Sequence, residues 1–572
     1  MPRPAQENQW WRSAVAYQVY PRSFADSNGD GIGDIRGIIE RLDHIAGLGV
    51  DVVWLSPVYA SPQDDNGYDI SDYHDIDPQF GTLADLDELI AQLHRRGMKL
   101  VMDLVVNHTS DEHEWFVESR SSRDNPRADW YVWRDPRPGF VGGEPGAEPN
   151  NWESYFAGPT WEWVPERQQY YLHLFSKKQP DLNWENPEVR RAVYEMMTWW
   201  LDRGVDGFRM DVINMISKVP GLPDGEVLPS GLGDGKPFYI GGPRLEEFLQ
   251  EMRAEVFDPR DGIYMTVGET PGMTVEQAAR ITDTDDGSLS MVFQFEHMDI
   301  DHEGDKFTGA PAPMSRLREM LVRWQEGIGT RGWNSLYWSN HDQPRAVSRF
   351  GDDQDYWYES ATALAVIMHL QRGTPFIYQG EEIGMTNVWF DSIDQFNDIE
   401  ILGYYRTAIG LGRDEQELIA QFNRRGRDNA RTPVQWSGDP HAGFTAGQPW
   451  LAVNANFATI NAAAQVGAAG SVYEFYRELI ALRHAEVVLT AGEFRILLND
   501  DAELFAYLRV TDESRVLVIA NLSGASRDWP EAELAAADVE AVAGSEVLLG
   551  NREARGAAEA LLPWEARVIR LS

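Results

Sequence analysis

Short apolar runs and longer amphipathic stretches alternate along most of this chain. The runs read "AVAYQVYP", "VDVVWLSP", "MKLVMDLVVNH", "GVDGFRMDV", "IYMTVGET", "SMVFQFEH", "SLYWSNHD" and "TPFIYQGEE". Most are apolar at successive positions, which suits strands covered on both faces, as in a parallel sheet. Between them, apolar positions recur at helical spacing. In "TLADLDELIAQLHRRGM", Leu83, Leu86, Leu89, Ile90 and Leu93 fall on one stripe. Eight strand-plus-helix units close naturally into an α/β fold of the (β/α)8 (TIM) barrel type, and that is the expected architecture.

Two intervals break the rhythm. From Thr109 to about Pro180 the chain is rich in Trp, Pro, Gly and Asn ("WYVWRDPRPGFVGGEPGAEPNNWESYF") and shows no clear helix. That is too long for a connecting loop, so residues 109–180 are expected to form a small domain inserted after the third strand. A second insertion, at about 383–460, follows the eighth strand. Beyond roughly Thr490, alternating runs such as "ELFAYLRV" and "SRVLVIANLS" predict a C-terminal antiparallel β-domain over 491–572. Residues 1–108 and 181–490 are left to the barrel.

Composition narrows the partners. A chain of 572 residues needs more than one core. No apolar run is long enough to span a membrane, and the N-terminal stretch lacks the apolar core of a signal peptide, so a cytoplasmic address is expected. The absence of Cys removes disulfides, thiolate metal sites and cysteine nucleophiles. A net charge of −41 opposes nucleic acid and anionic membrane and leaves neutral or cationic small molecules as ligands. The oligomeric state is open, monomer or weak dimer.

In such barrels chemistry sits at the C-terminal ends of the strands. Here those ends carry Asn107-His108, Arg209 with Asp211, Glu269, and His341-Asp342. One acid alone could cap a helix or pair with a surface Arg. Four strand ends agreeing points instead to a cluster in one mouth. Two carboxyls flanking a bond, one ionised and one protonated, form the machinery of glycoside hydrolysis. Arg209 is expected to hold Asp211 anionic, as suits a nucleophile, while neighbouring acids favour the protonated form of Glu269. Asp342 remains to offset positive charge developing at the anomeric carbon. Tyr68 and the many Trp and Phe offer faces for sugar rings.

Four ordered segments, "DLVVNH", "GFRMDVIN", "TVGETPG" and "NHDQPR", resemble the spaced signature regions of the α-amylase family of glycoside hydrolases. The resemblance runs from "AVAYQVYPRSF" through "RDNARTPVQW" to the C-terminal strands. "DDNGYDISDY", "MVFQFEHMD" and "GEEIGMTN" are most similar to the oligo-1,6-glucosidase (isomaltase) group, retaining exo-α-glucosidases. The resemblance implies Asp211 as nucleophile, Glu269 as general acid/base and Asp342 as transition-state stabiliser. It places Tyr68, His108, Arg209 and His341 around the reacting glucose. Asp65 and Arg427, the latter in preference to Arg431, match a pair that grips the non-reducing end. Phe156, Phe175 and Glu400 match neighbours of the next sugar site. It implies short oligosaccharides or disaccharides as substrates and no organic cofactor.

The stretch "DSNGDGIGD" reads like the opening of a calcium loop, but Gly37 stands where an EF-hand would place its bidentate Glu. Relatives bind Ca2+ or Mg2+ at the equivalent loop, which implies a structural ion held by Asp26, Asn28, Asp30 and Asp34 with the Ile32 carbonyl. Oxygen ligands alone suit such a hard cation. The residue after Asp211 is Val212, which in relatives accompanies preference for α-1,6 over α-1,4 linkages. A sucrose isomerase or other transglucosylase is the nearest alternative. Those isomerases carry an "RLDRD" stretch before the seventh strand, where this chain has "EHMDID". A non-catalytic partner subunit of a transporter is the alternative of another class, and the three acids argue against it.

Overall fold

The computed structural model describes residues 9–302, 306–311, 313–539, 542, 544–553 and 556–571. All eight apolar runs form strands: β1 (Ala16–Val19), β2 (Val52–Leu55), β3 (Lys99–Val105), β4 (Gly207–Asp211), β5 (Met265–Glu269), β6 (Met291–Phe293), β7 (Ser335–Leu336) and β8 (Thr374–Tyr378). They pair in parallel from β6 back through β1 to β8 and β7. A parallel bridge between Val292 and Asn334 joins the two ends and closes the ring.

The double-sided apolar pattern follows from two separate cores. Ala16, Val52, Trp54, Val101, Met265, Val267, Met291, Phe293 and Phe376 fill the inside of the ring. Their neighbours on the same strands, such as Val53, Leu55 and Leu100, face the surrounding helices, as does Phe208 of β4. The helix Leu83–Arg95 buries Leu86, Leu89, Ile90 and Leu93 in that outer layer, with Leu83 half-buried at its edge. A reciprocal cap between Thr82 and Asp85 starts it by satisfying otherwise orphaned N–H groups.

After β3 the chain leaves the barrel and makes a three-stranded antiparallel sheet from Trp133–Arg134, Trp161–Val164 and Gln169–Leu172, with the last in the middle. Contrary to the sequence reading, this interval also holds a helix, Glu114–Ser121. It lacks a long apolar stripe because only Trp115, Phe116 and Ser119 are buried. The Phe116 ring stacks on Trp133 at 5.7 Å and meets Tyr171 edge-on at 5.0 Å. Antiparallel bridges His108–Asp181 and Tyr131–Leu182 then return the chain to the barrel beside the end of β3.

The segment after β8 contributes helices Ile399–Gly410, Glu415–Arg425 and Asp428–Arg431 around an aromatic core that includes Phe390, Phe396 and Phe422. The helix Val472–Ala485 follows, then five antiparallel strands: β9 (Glu493–Leu497), β10 (Leu504–Val510), β11 (Arg515–Asn521), β12 (Glu546–Gly550) and β13 (Ala566–Leu571). Their order is β9-β10-β11-β13-β12. The fully buried Arg509 of β10 bonds the carbonyls of Leu370, Leu489 and Gly492, tying this sheet to the barrel. Among the described residues no helix is long and apolar enough to cross a membrane.

Candidate active site

Arg209 and Asp211 lie two residues apart on β4, so both side chains point to the same side of the strand. Glu269 ends the neighbouring β5. Their meeting point is the Arg209 guanidinium. Its Nη1 donates to Asp103 at 2.7 Å and to Asp211 at 2.9 Å, and its Nη2 donates to Glu269 at 2.6 Å. Asp103, in the middle of β3, is fully buried and also accepts from Trp54 Nε1 and Tyr68 OH, each at 3.1 Å. Sequence reasoning passed over Asp103. Its signal was there: a lone acid in the middle of "KLVMDLVV", a setting where an acid must have a buried partner.

One arginine is shared among three carboxylates, and for Asp211 it does not offset burial. Burial, followed by the adjacent Glu269, pushes the Asp211 carboxyl well above the ordinary range. Arg209 pulls the Asp211 carboxyl down, as expected, but burial and Glu269 act more strongly in the opposite direction. Desolvation and two acidic neighbours outweigh one divided cation, which shifts Asp211 toward its neutral form. Glu269 Oε2 also accepts the Val212 N–H at 3.0 Å. That contact has an unusual origin: Val212 has φ +36° and ψ +38°. A β-branched residue rarely adopts this left-handed conformation, and such strain gathers at functional sites.

His341 and Asp342 follow β7. The Gln18 amide donates to His341 Nδ1 at 2.9 Å, which leaves the ring proton on Nε2, 3.3 Å from Asp342 Oδ2. Burial drives the His341 pKa down to about 3, so the ring is neutral at ordinary pH. Burial acts against ionisation of Asp342, yet His341, Arg427 and Arg431 hold its carboxyl far below the usual range. With His341 neutral, the two arginines, at 3.3 and 2.7 Å, do that work. Tyr68 stacks on His341 with centroids 5.1 Å apart and planes 4° off parallel.

These groups border a cavity of about 380 Å³. Asp65, Tyr68, His108, Phe156, Phe175, Asp211, Glu269, Asp342, Glu400 and Arg427 all line it. Arg209 and His341 stand behind the wall, each 1 % exposed, and act through the residues in front of them. His108, kept neutral by burial with its pKa near 4, donates from Nε2 to the Tyr68 carbonyl at 3.0 Å. Arg427 bridges Asp65 at 3.4 Å and Asp342 at 3.3 Å and lies over the Phe156 ring at 5.1 Å. Glu400 takes Lys306 at 2.6 Å. Gln179, which nothing in the sequence singled out, reaches Asp65 at 3.3 Å and the Tyr68 carbonyl at 3.2 Å from the inserted domain. The cavity is thus assembled from the barrel, the insertion after β3 and the segment after β8.

The loop Asp26–Asp34 is bound up with its own backbone. Asp26 Oδ1 accepts from the Asn28 and Gly29 N–H groups and Oδ2 from Gly31, Asn28 Oδ1 from Asp30, and Asp30 Oδ1 from Ile32. Asp34 instead caps the helix Ile35–Glu40 through the Gly37 N–H and binds Ser27. Among the described residues no three His, Cys, Asp or Glu side chains gather closely enough to hold a metal ion.

A closed parallel barrel with paired acids at its strand ends defines a barrel hydrolase. Residues 18–492 match the model of the alpha amylase catalytic domain, and the chain belongs to the alpha-amylase family of glycoside hydrolases. It is 54% identical to an oligo-1,6-glucosidase of Parageobacillus thermoglucosidasius over 99% of both chains. Among solved structures, the trehalose-6-phosphate hydrolase of Bacillus licheniformis is 46% identical, with a TM-score of 0.90 over 99% of this chain and 100% of that one. The trehalulose synthase MutB of Pseudomonas mesoacidophila MX-45 is 42% identical, with a TM-score of 0.90 over 98% and 99%.

Proposed function

We propose that the chain is a retaining, exo-acting α-glucosidase that releases α-glucose from the non-reducing end of short α-glucosides and prefers α-1,6 linkages. The observation that carries this reading is the convergence of Asp211 and Glu269 on Arg209 at a cavity bordered by Asp342 and the Asp65–Arg427 pair. In the first step Asp211 attacks the anomeric carbon, forming a glucosyl ester, while Glu269 gives its proton to the departing glycosidic oxygen. In the second, Glu269 removes a proton from water, which attacks the same carbon and frees Asp211. Two inversions give net retention. A retaining pair stands about 5–5.5 Å apart, and here both carboxyls are held by the one Arg209 guanidinium. Glu269 keeps Oε2 on Arg209 and Val212, which leaves Oε1 to face the leaving group. Asp342, ionised by its two arginines, offsets the charge on the sugar in both transition states.

Asp211→Asn should lower turnover of a nitrophenyl α-glucoside by at least ~10⁴-fold while the protein stays folded by circular dichroism. Wild-type activity in that variant would reject the assignment. Linkage preference rests on Val212, which lines the cavity directly after the nucleophile. A methyl group there discriminates by about 1–3 kcal/mol, and equal turnover of maltose and isomaltose would defeat the preference. The likeness to a trehalulose synthase supports transglucosylation as a second reading, separated from hydrolysis by product analysis in concentrated sucrose.

We further infer that the loop after β1 binds Ca2+ or Mg2+ as a structural ion through Asp26, Asn28, Asp30 and the Ile32 carbonyl, with Asp34 contributing at the base. The donor set is all oxygen, as a hard cation requires. Melting should rise by several degrees from EDTA to millimolar Ca2+, and an unchanged melting temperature would remove the ion from the account. A cytoplasmic address and a monomeric or weakly dimeric state belong to the same reading; cell fractionation and sedimentation test them.

A further inference from the structure

Arg427 matters to the cavity because it lines it and pairs there with Asp65, yet its own contacts on that side are loose. Its Nη2 stands 3.4 Å from Asp65 and its Nη1 3.3 Å from Asp342. Charge-assisted hydrogen bonds that fix a guanidinium run at about 2.7–2.9 Å. Something else must hold the group in place.

The tight contact is made from behind. Arg427 Nε donates to Asp398 Oδ1 at 3.0 Å, and Nη2 donates to the same oxygen. Asp398 is fully buried and is not among the cavity-lining residues. It is itself pinned: its N–H donates to Asp428 Oδ2 at 3.0 Å, and its Oδ1 accepts the Glu400 N–H at 3.1 Å as the cap of helix Ile399–Gly410. Burial acts against its ionisation, but Arg427 and then Arg431 hold the carboxyl below its ordinary range. Its second oxygen, Oδ2, is buried without a hydrogen-bond partner, as is Nη1 of Arg431 3.8 Å from Oδ1. A group that costs this much to bury is retained for its geometry.

We propose that Asp398 is a positioning residue that sets Arg427 against Asp65 and thereby gives the cavity its grip on the terminal sugar. This inference rests on the exo-glucosidase reading above. It touches no substrate, and it acts entirely through the guanidinium. The same residue starts the helix that carries Glu400, so one carboxylate sets the register of two cavity-lining side chains.

The test is steady-state kinetics on isomaltose with Asp398→Asn, Arg427→Ala and the double variant. Asn is also a good helix cap, so it preserves the helix start and removes only the charge. Asp398→Asn should raise KM at least tenfold and change kcat less than threefold, whatever it costs in melting temperature through the lost buried charge. In the Arg427→Ala background the same change should leave KM where Arg427→Ala put it, because the two act as one unit. A merely structural Asp398 would lower the melting temperature and the active fraction and leave KM alone, and that result would overturn the proposal. So would KM effects that multiply in the double variant. A wild-type protein that frees no glucose from any α-glucoside would instead overturn the exo-glucosidase reading, and this inference with it.

Discussion

At the residue scale, the recurring device is a buried acid whose ionisation is set by how many cations it shares. Asp211 divides one arginine, Arg209, with two rivals and its carboxyl is pushed up, whereas Asp342 faces two arginines, Arg427 and Arg431, and its carboxyl is held far down. Glu381, just after β8, shows the same physics away from the cavity. Burial raises its pKa to about 7, although the hydroxyls of Ser339 and Tyr476 hydrogen-bond to it. A folded value above the ordinary one means a stabilising proton, fully present below the ordinary carboxylate range and lost as pH rises through 7. The loss is on the order of 3 kcal/mol for such a shift. Glu381→Gln keeps a neutral group at every pH, so its melting temperature relative to wild type should climb between pH 5 and pH 8. A constant difference by calorimetry would contradict this. Residues of this kind are also where the sequence is least legible. Asp211, Glu269 and Asp342 stand out because they end apolar runs or follow them closely. Asp398 and Gln179 do not, since their importance comes from contacts with segments far away in the chain, and nothing in "QFNDIE" or "SKKQP" marks them.

At the scale of elements, the strands were legible because being covered on both faces leaves a run of apolar residues without alternation, and each run needed only a turn beyond it to be placed. The helix Glu114–Ser121 was not, because its burial rests on two large aromatics rather than a stripe. The expected antiparallel strands after Thr490 are present as β9 to β13. One element carries a sharp constraint. Gly207 opens β4 between β3 and β5, and a Cβ there would sit 2.0 Å from the Met265 carbonyl oxygen. That oxygen is backbone of the adjacent strand and cannot retreat without spreading the ring. Gly207→Ala should therefore lower the melting temperature strongly or yield insoluble protein, and it should disturb Arg209 and Asp211 together. A soluble variant with unaltered melting and activity would show that the strand tolerates the extra carbon. Gly31 is constrained likewise: at φ +93° it packs where a Cβ would meet the Gln448 carbonyl at 1.9 Å, so the loop after β1 and the segment after β8 are fitted to each other.

At the scale of the molecule, the C-terminal sheet is joined to the barrel by buried polar contacts as well as by apolar ones. From the sheet, Arg509 satisfies the carbonyls of Leu370, Leu489 and Gly492, and Tyr507 OH bonds the Ile367 carbonyl at 3.1 Å. Removing the sheet would strip donors from carbonyls of the barrel and leave the apolar face of helix Trp357–His369 uncovered. A chain ending at residue 490 should therefore be insoluble or inactive; soluble, fully active protein from it would show the barrel to be self-sufficient.

The Asp65–Arg427 bridge has a kinetic corollary. On the exo-acting reading this bridge stoppers the hollow, and the freed monosaccharide must leave by the route the remaining chain would use. The enzyme then cannot slide along a polymer taking successive bites. Each cut ends in complete release, so a population of oligomers shortens in step, with every intermediate length accumulating in turn.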